Sequence, residues 1–486
     1  MRLAELLQEL PEVRLEGSAD AVFDRLAYRA DKAHPSALFA LFEEFLAYNR
    51  WGHSRDQLAA CVPQPAALLT DQPVELFAGP QLISSNVRRD LGLIARKLHG
   101  SPDQRLPVVA VTGTNGKTTT TRLLGFLFHR VLGSGGSLGT LGMDWNGKAM
   151  ESGSYTTPLA PDLFPLLAQF ADLKTKAVAM EVSSHAMALQ RVSSLRFAAA
   201  ATARITRDHL DFHGSLESYI AAKRSLFEGL DGRAFAVLNR DCPIAWSFAE
   251  CVSGRLISYS CHAQGGADLV ADRIAVSSED TRFDLVWKGR SLPVRARLIG
   301  RFQVENILAA LSVIAGMELP MEAAIDALAD FEIVPGRMES IALPNGSTAV
   351  VDYAHNPDGL HNLLENCRAL NPERIILVFG CGGDRDRGKR PLMGELAFRG
   401  ADRVWVTSDN PRTEAPERII ADILEGIPAK ERVTVEPDRR IAILNAYAET
   451  SNGDLLVVAG KGHEDYQLIG TTKYPFSDKA VLLSLC

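Results

Sequence analysis

The sequence predicts an α/β protein with several domains, and three observations support this. The chain has 486 residues, whereas a single hydrophobic core rarely grows beyond about 250–300 residues. Short apolar runs rich in β-branched residues alternate with helical patterns, as in mostly parallel sheets. A Gly-rich turn joins one such run, at 106–112, to a helical pattern at 118–132.

Breaks at 101–105, which we interpret as a linker, and near 334–337 divide the chain into three parts. We expect a small N-terminal α/β domain over 1–103, a central domain with a P-loop-type, mostly parallel sheet over 104–334, and a C-terminal Rossmann-like domain over 335–486. Apolar runs predict further strands in the second and third parts, at 177–180, 234–238, 255–259, 374–379, 403–407 and 455–459.

The composition argues against several classes of protein. The net charge of −7 argues against a nucleic-acid partner, which usually leaves a basic footprint. The seven cysteines are scattered and form no C-x-x-C pair, so a disulfide framework or a zinc site is not expected. The N-terminus has no signal-peptide layout, and no apolar run reaches the roughly 18–20 residues of a membrane helix. We expect a cytoplasmic protein without a membrane partner.

The clearest functional motif is the Gly-rich turn between the first central strand and its helix. Backbone N–H groups of such a turn, together with the helix N-terminus, form a cradle for phosphate. Its lysine supplies a point charge for the β- and γ-phosphates, and a following threonine can bind Mg²⁺. The spacing is a shortened variant of the standard P-loop. The residues concerned are Gly113, Thr114, Asn115, Gly116, Lys117, Thr118 and Thr119.

Two further segments carry candidate metal ligands. Glu181 directly follows the strand at 177–180, where nucleotide enzymes hold Mg²⁺, although a glutamate at a strand end is more often a solvated cap. The segment 207–214 places two carboxylates and two imidazoles, including His209, within six residues. Lys223 lies in the following helical pattern, and an isolated helical lysine is ordinarily a solvated surface charge.

Taken in order, these motifs resemble the Mur ligases of bacterial peptidoglycan synthesis, from about residue 105 to the C-terminus. The shared segments are G-T-N-G-K-T-T-T at 113–120, E-V-S-S-H at 181–185, D-H-L-D-F-H-G at 208–214, A-A-K at 221–223, P-G-R-M-E at 335–339, D-Y-A-H-N-P at 352–357, D-N-P-R at 409–412 and G-K-G-H-E at 460–464.

The resemblance implies an ATP-dependent amide ligase. In this family ATP phosphorylates a carboxylate, an amine attacks the acyl phosphate, and the tetrahedral intermediate collapses to amide and phosphate. ATP would contact the Gly-rich turn together with Asn306, Arg337, Asp352 and His355. One Mg²⁺ would bind Thr118 and Glu181, and a second would bind His209 and Lys223, the latter as a CO₂-derived carbamate. Lys117, Glu181, His209 and Lys223 would be the catalytic residues.

The resemblance also assigns the two other substrates, both small molecules, and members of the family often work as monomers. In the family D-N-P-R marks enzymes that add meso-diaminopimelate, and here Arg412 can grip the second carboxylate of that amino acid bidentately. The acceptor would be the D-Glu carboxylate of UDP-N-acetylmuramoyl-L-Ala-D-Glu. The expected nucleotide-sugar peptide contacts are Thr156, Thr157, Ser183 and Arg191; the expected diaminopimelate contacts are Arg385, Asp409, Asn410, Pro411, Arg412, Gly460 and Glu464.

Departures from the family pattern cluster on the nucleotide-sugar side. Ala203-Arg204 replaces Thr-Asn, and Tyr155, Leu189 and Gln303 also replace polar residues usual in the family. In the first domain only fragments of the uridine-binding motifs remain, at 27–29 and 34–39. A paralogue that joins diaminopimelate or another amine to a different carboxylate donor is therefore an alternative. A non-catalytic ATP-binding protein and a P-loop motor or switch ATPase are further alternatives, against which the retained Lys223 and the shortened loop respectively argue.

Overall fold

The computed structural model of the protein describes residues 1–42, 58, 61, 63–151, 155–262, 266–277, 279–332 and 334–486. Three α/β units follow one another along the chain, each around its own sheet. The sheets fall within the intervals 1–103, 104–334 and 335–486, while the boundaries themselves stay a prediction. In the described ranges, no helix combines the length and the apolar character needed to cross a bilayer.

The N-terminal unit is a small five-stranded sheet. Its strands are β1 (Arg14–Glu16), β2 (Arg25–Ala27), β3 (Ala37–Ala40), β4 (Ala67–Thr70) and β5 (Gln81–Ile83). They pair in the order β1-β5-β4-β3-β2, parallel throughout except between β1 and β5. Two helices, α1 (Leu3–Leu7) and α2 (Val87–Leu98), contribute Leu3, Leu91 and Ile94 to its core.

The central unit is one eleven-stranded sheet. Its strands are β6 (Val108–Thr112), β7 (Gly135–Gly139), β8 (Gly142–Trp145), β9 (Lys148–Met150), β10 (Ala177–Glu181), β11 (Ala199–Thr202), β12 (Phe235–Asn239), β13 (Arg255–Ser260), β14 (Leu269–Val276), β15 (Thr281–Trp287) and β16 (Arg290–Ala296). The order is β16-β15-β14-β13-β12-β11-β6-β10-β7-β8-β9. Strands from β14 to β7 across the middle are parallel, and antiparallel strands extend both edges.

Apolar residues on both faces of the parallel strands explain why they read as continuous hydrophobic runs. The helices covering them are α3 (Lys117–Leu132), α4 (Ala160–Asp172), α5 (Ser184–Ala188), α6 (Leu210–His213), α7 (Leu216–Glu228), α8 (Pro243–Trp246), α9 (Arg301–Gly316) and α10 (Met321–Ala327). Ser215 caps α7, because its Oγ accepts the N–H of Ser218 at 3.1 Å. Strand β6 lies at the sheet centre, so the Gly-rich turn that follows it opens at the middle of the carboxyl edge.

The C-terminal unit is a six-stranded sheet with an appended hairpin. The sheet contains β17 (Glu339–Ala342), β18 (Thr348–Asp352), β19 (Ile375–Phe379), β20 (Arg403–Val406), β21 (Val433–Val435) and β22 (Leu455–Ala459). The order is β17-β18-β22-β19-β20-β21, parallel except at β17. The hairpin is β23 (Tyr466–Ile469) and β24 (Thr472–Pro475), and the helices are α11 (Pro357–Ala369), α12 (Lys389–Gly400), α13 (Pro416–Leu424), α14 (Arg439–Ala448) and α15 (Asp478–Leu483).

Residues 101–105, interpreted from the sequence as a linker, lie between α2 of the N-terminal unit and β6 of the central unit. Residues Pro102–Gln104 form a 3₁₀ turn. The Asp103 carboxylate is buried. It accepts hydrogen bonds from the Arg96 guanidinium at 2.9 Å and from the backbone N–H of Arg196 at 3.1 Å. Because Arg196 belongs to the central unit, the Asp103 carboxylate ties this segment to that unit.

Candidate active site at the junction of the central and C-terminal units

The Gly-rich turn between β6 and α3 forms the floor of a cavity of about 330 Å³. Gly116 has a left-handed φ of 86°, and a Cβ there would lie 2.2 Å from Asn306 Oδ1, so only glycine fits. Lys117 Nζ donates to the carbonyls of Gly113 and Thr114, both at 2.9 Å. The turn therefore packs directly on α9 and holds its lysine over the loop backbone.

Glu181 ends β10 with its carboxylate turned toward this turn. Its oxygens accept the Thr118 hydroxyl at 3.1 Å and the N–H and hydroxyl of Thr140 at 2.8 and 3.2 Å. The side chain is buried, so it is not a solvated strand cap. Thr140, which the sequence interpretation missed, directly follows β7, a Gly-rich strand without the apolar signature of its neighbours.

Lys223 is 1% exposed, which excludes the ordinary role of a helical lysine as a solvated charge. Its Nζ donates to the carbonyl of Gly113 at 2.8 Å and lies 3.4 Å from Thr112 Oγ1. Burial and the nearby positive charge of Lys117 lower the pKa of Lys223 well below its usual value. Two lysines therefore converge on one turn in a water-poor environment.

His209 lies beside these lysines in a strained conformation. Its φ of 54° is left-handed, which is uncommon outside glycine and recurs at functional sites. Burial lowers its pKa, so the imidazole is neutral near pH 7. The ring packs edge-on against His185, with centroids 4.7 Å apart. A neutral imidazole is the form that ligates a metal ion.

No cluster of three or more His, Cys, Asp or Glu side chains suited to a metal ion occurs among the described residues. The expected ligand sets, Thr118 with Glu181 and His209 with Lys223, each contain only one residue of those four types. They line the same cavity.

The residues expected to bind the nucleotide-sugar peptide line the same cavity: Thr156, Thr157, Ser183 and Arg191. Arg191 donates to the carbonyl of Thr157 at 3.0 Å, and its guanidinium lies 5.1 Å from the centroid of the Tyr155 ring. The substituted residues Tyr155 and Leu189 line the cavity as well. The residues that differ from the family pattern therefore lie beside residues that match it.

A second cavity lies between α9 and the C-terminal unit. It is lined by Asn115, Gly116, Thr118, Thr119, Asn306, Arg337 and Asp352, all expected to contact nucleotide, and also by Arg204 and Glu305. Arg337 donates to Thr118 Oγ1 at 3.2 Å across the two units. Gln303 is one of the residues that differ from the family pattern. Its Oε1 accepts a hydrogen bond from Asn306 Nδ2 at 2.8 Å and so orients the Asn306 amide. His355 instead lines the first and third cavities.

The third cavity contains the residues expected to bind diaminopimelate: Arg385, Asp409, Asn410, Arg412, Gly460 and Glu464. Pro411 lies in the same turn but is absent from the described lining. Asn410 connects the set, because its Nδ2 donates to Glu464 Oε2 at 2.8 Å and its Oδ1 accepts Lys461 Nζ at 3.0 Å. Burial and the charge of Arg412 lower the pKa of Arg385 to about 10.

Sequence reasoning missed Lys461 and the hairpin, which bond to residues that line this cavity. Lys461 is buried and binds Glu464 Oε2 at 3.0 Å. Gln467 on β23 donates to the carbonyl of Asp409 at 2.7 Å, and the N–H of Arg412 donates to the carbonyl of Leu468 at 3.0 Å. The lysine could have been noticed within G-K-G-H-E, whereas the hairpin contacts join segments more than 50 residues apart and leave no local signal.

Comparison with known proteins agrees with this geometry. Residues 111–314 match the Mur ligase middle domain, and residues 336–462 match the glutamate ligase domain of Mur ligases. A protein of Thermosynechococcus vestitus, named UDP-N-acetylmuramoyl-L-alanyl-D-glutamate–2,6-diaminopimelate ligase, is 45% identical over 82% of this chain and 80% of its own length. This chain belongs to the Mur ligase family.

Other members of the Mur ligase family match over 90% or more of the chain. A protein of the same name from Syntrophomonas wolfei is 37% identical over 100% of this chain and 99% of its own. A solved structure with that name is 31% identical, covers 100% and 98% of the two chains, and superposes with a TM-score of 0.68. The MurF ligase of Thermotoga maritima, solved in complex with ADP, shares the fold at 16% identity, over 90% and 94% of the chains, with a TM-score of 0.64.

Proposed function

We propose that this Mur ligase uses ATP to join meso-diaminopimelate to the D-Glu carboxylate of UDP-N-acetylmuramoyl-L-Ala-D-Glu in peptidoglycan precursor synthesis. The observation that carries the proposal is the connection of the three cavities. The first and third share His209, Tyr353, His355 and Arg385 as walls. The first and second share the turn and Arg337. A nucleotide, a carboxylate and an amine can therefore meet at one place.

The proposed nucleotide site extends from the second cavity into the first. Asn306, Arg337 and Asp352 surround the position of the base and ribose, and the turn with Lys117 receives the phosphates. Support comes from the residues themselves and from the ADP complex of a relative with the same fold. The amides, Lys117 and Arg337 would stabilise the phosphoryl group during transfer.

The donor set fits Mg²⁺, which prefers oxygen ligands and substrate phosphates. Glu181 and Thr118 present a buried carboxylate and a hydroxyl 3.1 Å apart beside the phosphate turn. We propose that they hold one ion and that His209 with carbamylated Lys223 holds a second. When bound, Mg²⁺ would neutralise phosphate charge and orient the γ-phosphoryl group.

The buried amine of Lys223 supports the carbamate proposal. A neutral lysine amine adds CO₂ to form a carbamate anion and releases one proton. That anion would attract the cation of Lys117 and would supply a metal ligand. The test is carbon-13 NMR of the protein in labelled bicarbonate: a carbamate signal that is lost in Lys223→Gln supports the proposal, and an unchanged spectrum in that variant contradicts it.

The proposed chemistry has two steps. A carboxylate oxygen of the acceptor, held beside Thr156, Thr157, Ser183 and Arg191, takes the γ-phosphoryl group and ADP is formed. The amine of diaminopimelate then attacks the acyl carbon, phosphate leaves with that carboxylate oxygen, and the nitrogen loses a proton. Arg191 would balance the charge of the acceptor before transfer.

The proposed amine site explains the choice of a donor with two carboxylates. Arg385 and Arg412 provide two guanidinium groups, which bind carboxylates in bidentate geometry. Glu464 provides an anion for a distal ammonium group, and its link to Asn410 and Lys461 fixes its position. Asp409, Asn410, Pro411 and Gly460 would shape the backbone around the substrate.

The test uses purified protein with ATP, Mg²⁺, UDP-N-acetylmuramoyl-L-Ala-D-Glu and meso-diaminopimelate, following phosphate release and product mass. We expect phosphate release that depends on both substrates and a tripeptide product, whereas L-lysine in place of diaminopimelate should give little product. The substituted Tyr155 and Leu189 favour one second candidate, a ligase for another carboxylate donor. Turnover only with other donors would establish that candidate and contradict the main proposal.

We further propose that the enzyme acts as a cytoplasmic monomer. The three substrate cavities are built from one chain, so the proposed reaction needs no second subunit. Light scattering during size-exclusion chromatography should give the mass of one 52.8 kDa chain, and a concentration-independent dimer would contradict this.

A further inference from the structure

Arg204 stands where the Mur ligases usually have asparagine, and it lies at the contact between the central and C-terminal units. It follows β11, and its carbonyl accepts the N–H groups of Thr114 and Asn115 at 2.7 and 3.3 Å. The backbone of residue 204 is thus bonded to the phosphate turn. Its side chain starts from a fixed point at the edge of the nucleotide cavity.

The Arg204 side chain pairs with carboxylates of both units. Its NH1 donates to Glu305 Oε1 at 3.0 Å, on α9 of the central unit. Its Nε lies 3.6 Å from Asp358 Oδ1, in the first turn of α11 of the C-terminal unit. Glu305 is further held by Asn239, whose Nδ2 donates to Oε2 at 3.0 Å. One guanidinium therefore spans the interface.

Asp358 also contacts the phosphate turn directly. Asn115 Nδ2 donates to Asp358 Oδ2 at 2.6 Å. Next to it Asn356, the N-cap of α11, donates to Asp208 Oδ2 at 3.0 Å and to Asn115 Oδ1 at 3.3 Å. The start of α11 is thus where the C-terminal unit touches the turn, and Arg204 adds the only arginine–carboxylate pair described at that helix start.

We propose that Arg204 is a positioning residue, an electrostatic latch that holds the C-terminal unit closed over the nucleotide through Asp358. An asparagine has neither the reach nor the charge to bridge Glu305 and Asp358. The pair also satisfies Glu305, whose pKa burial raises. The latch rests on the proposed nucleotide site but not on the identity of the amine or the carboxylate donor.

Two substitutions separate the latch from other roles of the arginine. Asp358→Asn removes the charge facing Arg204 but keeps an oxygen acceptor for Asn115, and it leaves the Arg204–Glu305 pair intact. Arg204→Gln removes both pairs, and Arg204→Lys keeps the charge. Arg130→Gln is the matched control, because Arg130 pairs with Asp330 at 2.6 Å wholly within the central unit and away from the cavities.

The experiment measures binding of the non-hydrolysable analogue β,γ-imido-ATP with Mg²⁺ by calorimetry, and the radius of gyration of the full chain by X-ray scattering. We expect Arg204→Gln and Asp358→Asn each to weaken binding by about two- to fivefold, the range of a partly exposed ion pair. Both variants should be less compact with the analogue bound. Arg204→Lys should restore most of the affinity, and the control should match the parent protein.

The double variant and the kinetics complete the test. Arg204→Gln/Asp358→Asn should bind no more weakly than Arg204→Gln alone, since each removes the same contact. KM for ATP should rise while kcat at saturating ATP stays near the parent value. The proposal is overturned if Asp358→Asn changes neither affinity nor compactness, or if the effects add, because Arg204 would then act on the nucleotide itself. Binding and scattering need no turnover, so a failed ligase assay leaves this result interpretable.

Discussion

The phosphate cradle and the amine-donor cavity share a wall but handle buried charge in opposite ways. In the cradle, the hydrogen bonds of Lys117 and Lys223 to described residues go to carbonyl and hydroxyl oxygens, and burial lowers the pKa of both. In the amine cavity, guanidinium and carboxylate groups line the same space, and the buried Lys461 beside it is paired with Glu464 at 3.0 Å. Behind it, Arg439 and Asp478 form a fully buried pair at 2.7 Å.

The difference reflects what each region has to do. In the proposed mechanism, a cradle whose buried lysines are bonded to neutral oxygens would gain most from ligands that bring negative charge, namely phosphates and a carbamate. In the proposed function, a cavity lined by the guanidinium groups of Arg385 and Arg412 and the carboxylates of Asp409 and Glu464 would suit a zwitterionic amino acid, whose charges then replace water. Charge substitutions should therefore affect rate in the cradle and substrate affinity in the amine cavity.

The largest expected effect is that of Lys117→Met. Removing the cation that faces the transferred phosphoryl group should lower kcat by about 10³-fold, within the range for electrostatic groups in phosphoryl transfer. The measurement is phosphate release at saturating substrates. Lys148→Met, an exposed lysine on β9, should keep full activity. A Lys117→Met enzyme within tenfold of the parent kcat would contradict the role of the cradle.

Arg412→Lys should affect the other region. Lysine keeps the charge but loses the bidentate fork, so KM for diaminopimelate should rise by about 10- to 100-fold. The affinity for β,γ-imido-ATP should not change. Arg418→Lys, on the exposed side of α13, is the control. If kcat falls and KM for diaminopimelate is unchanged, the assignment of affinity to this cavity is wrong.

Gln467→Ala should give a smaller effect in the same direction. Its amide donates to the Asp409 carbonyl at 2.7 Å, and one neutral hydrogen bond contributes about 1 kcal/mol, or roughly fivefold in KM for diaminopimelate. Thr472→Ala, exposed on the same hairpin, should be neutral. Equal effects from both substitutions would indicate that the hairpin acts through general stability instead.

Stability should depend on pH through His463, beside the amine cavity. Burial lowers its pKa to about 4, against 6.5 for the unfolded chain. Between these values the unfolded state binds the extra proton, so the free energy of unfolding falls as pH drops from 6.5 to 4. After allowance for partial exposure, His463 should account for about 2 kcal/mol of this loss.

The measurement is urea unfolding of the parent protein and of His463→Gln across that range. The variant should lose less stability on acidification, and the two curves should run parallel above pH 6.5. A variant with the same pH dependence as the parent would show that His463 titrates alike in both states.

The sequence predicted what is local. The turn at 113–116, the strand ending at Glu181 and the alternation of strands and helices in both larger units are confirmed, because each is encoded by neighbouring residues. The burial of Lys223 could not be read from its helix, since it depends on packing against the end of β6. Asp358 and Gln467 act through partners that lie more than 50 residues away in the chain, and short-range patterns carry no signal for such contacts.

The most direct test of the account follows the carboxylate oxygen. The acceptor is prepared with oxygen-18 in its D-Glu carboxylate and turned over with ATP and meso-diaminopimelate, and the released phosphate is analysed by mass. Transfer through an acyl phosphate in the joined cavities predicts one labelled oxygen in each phosphate formed. Phosphate without the label, together with normal amide formation, would contradict the proposed mechanism.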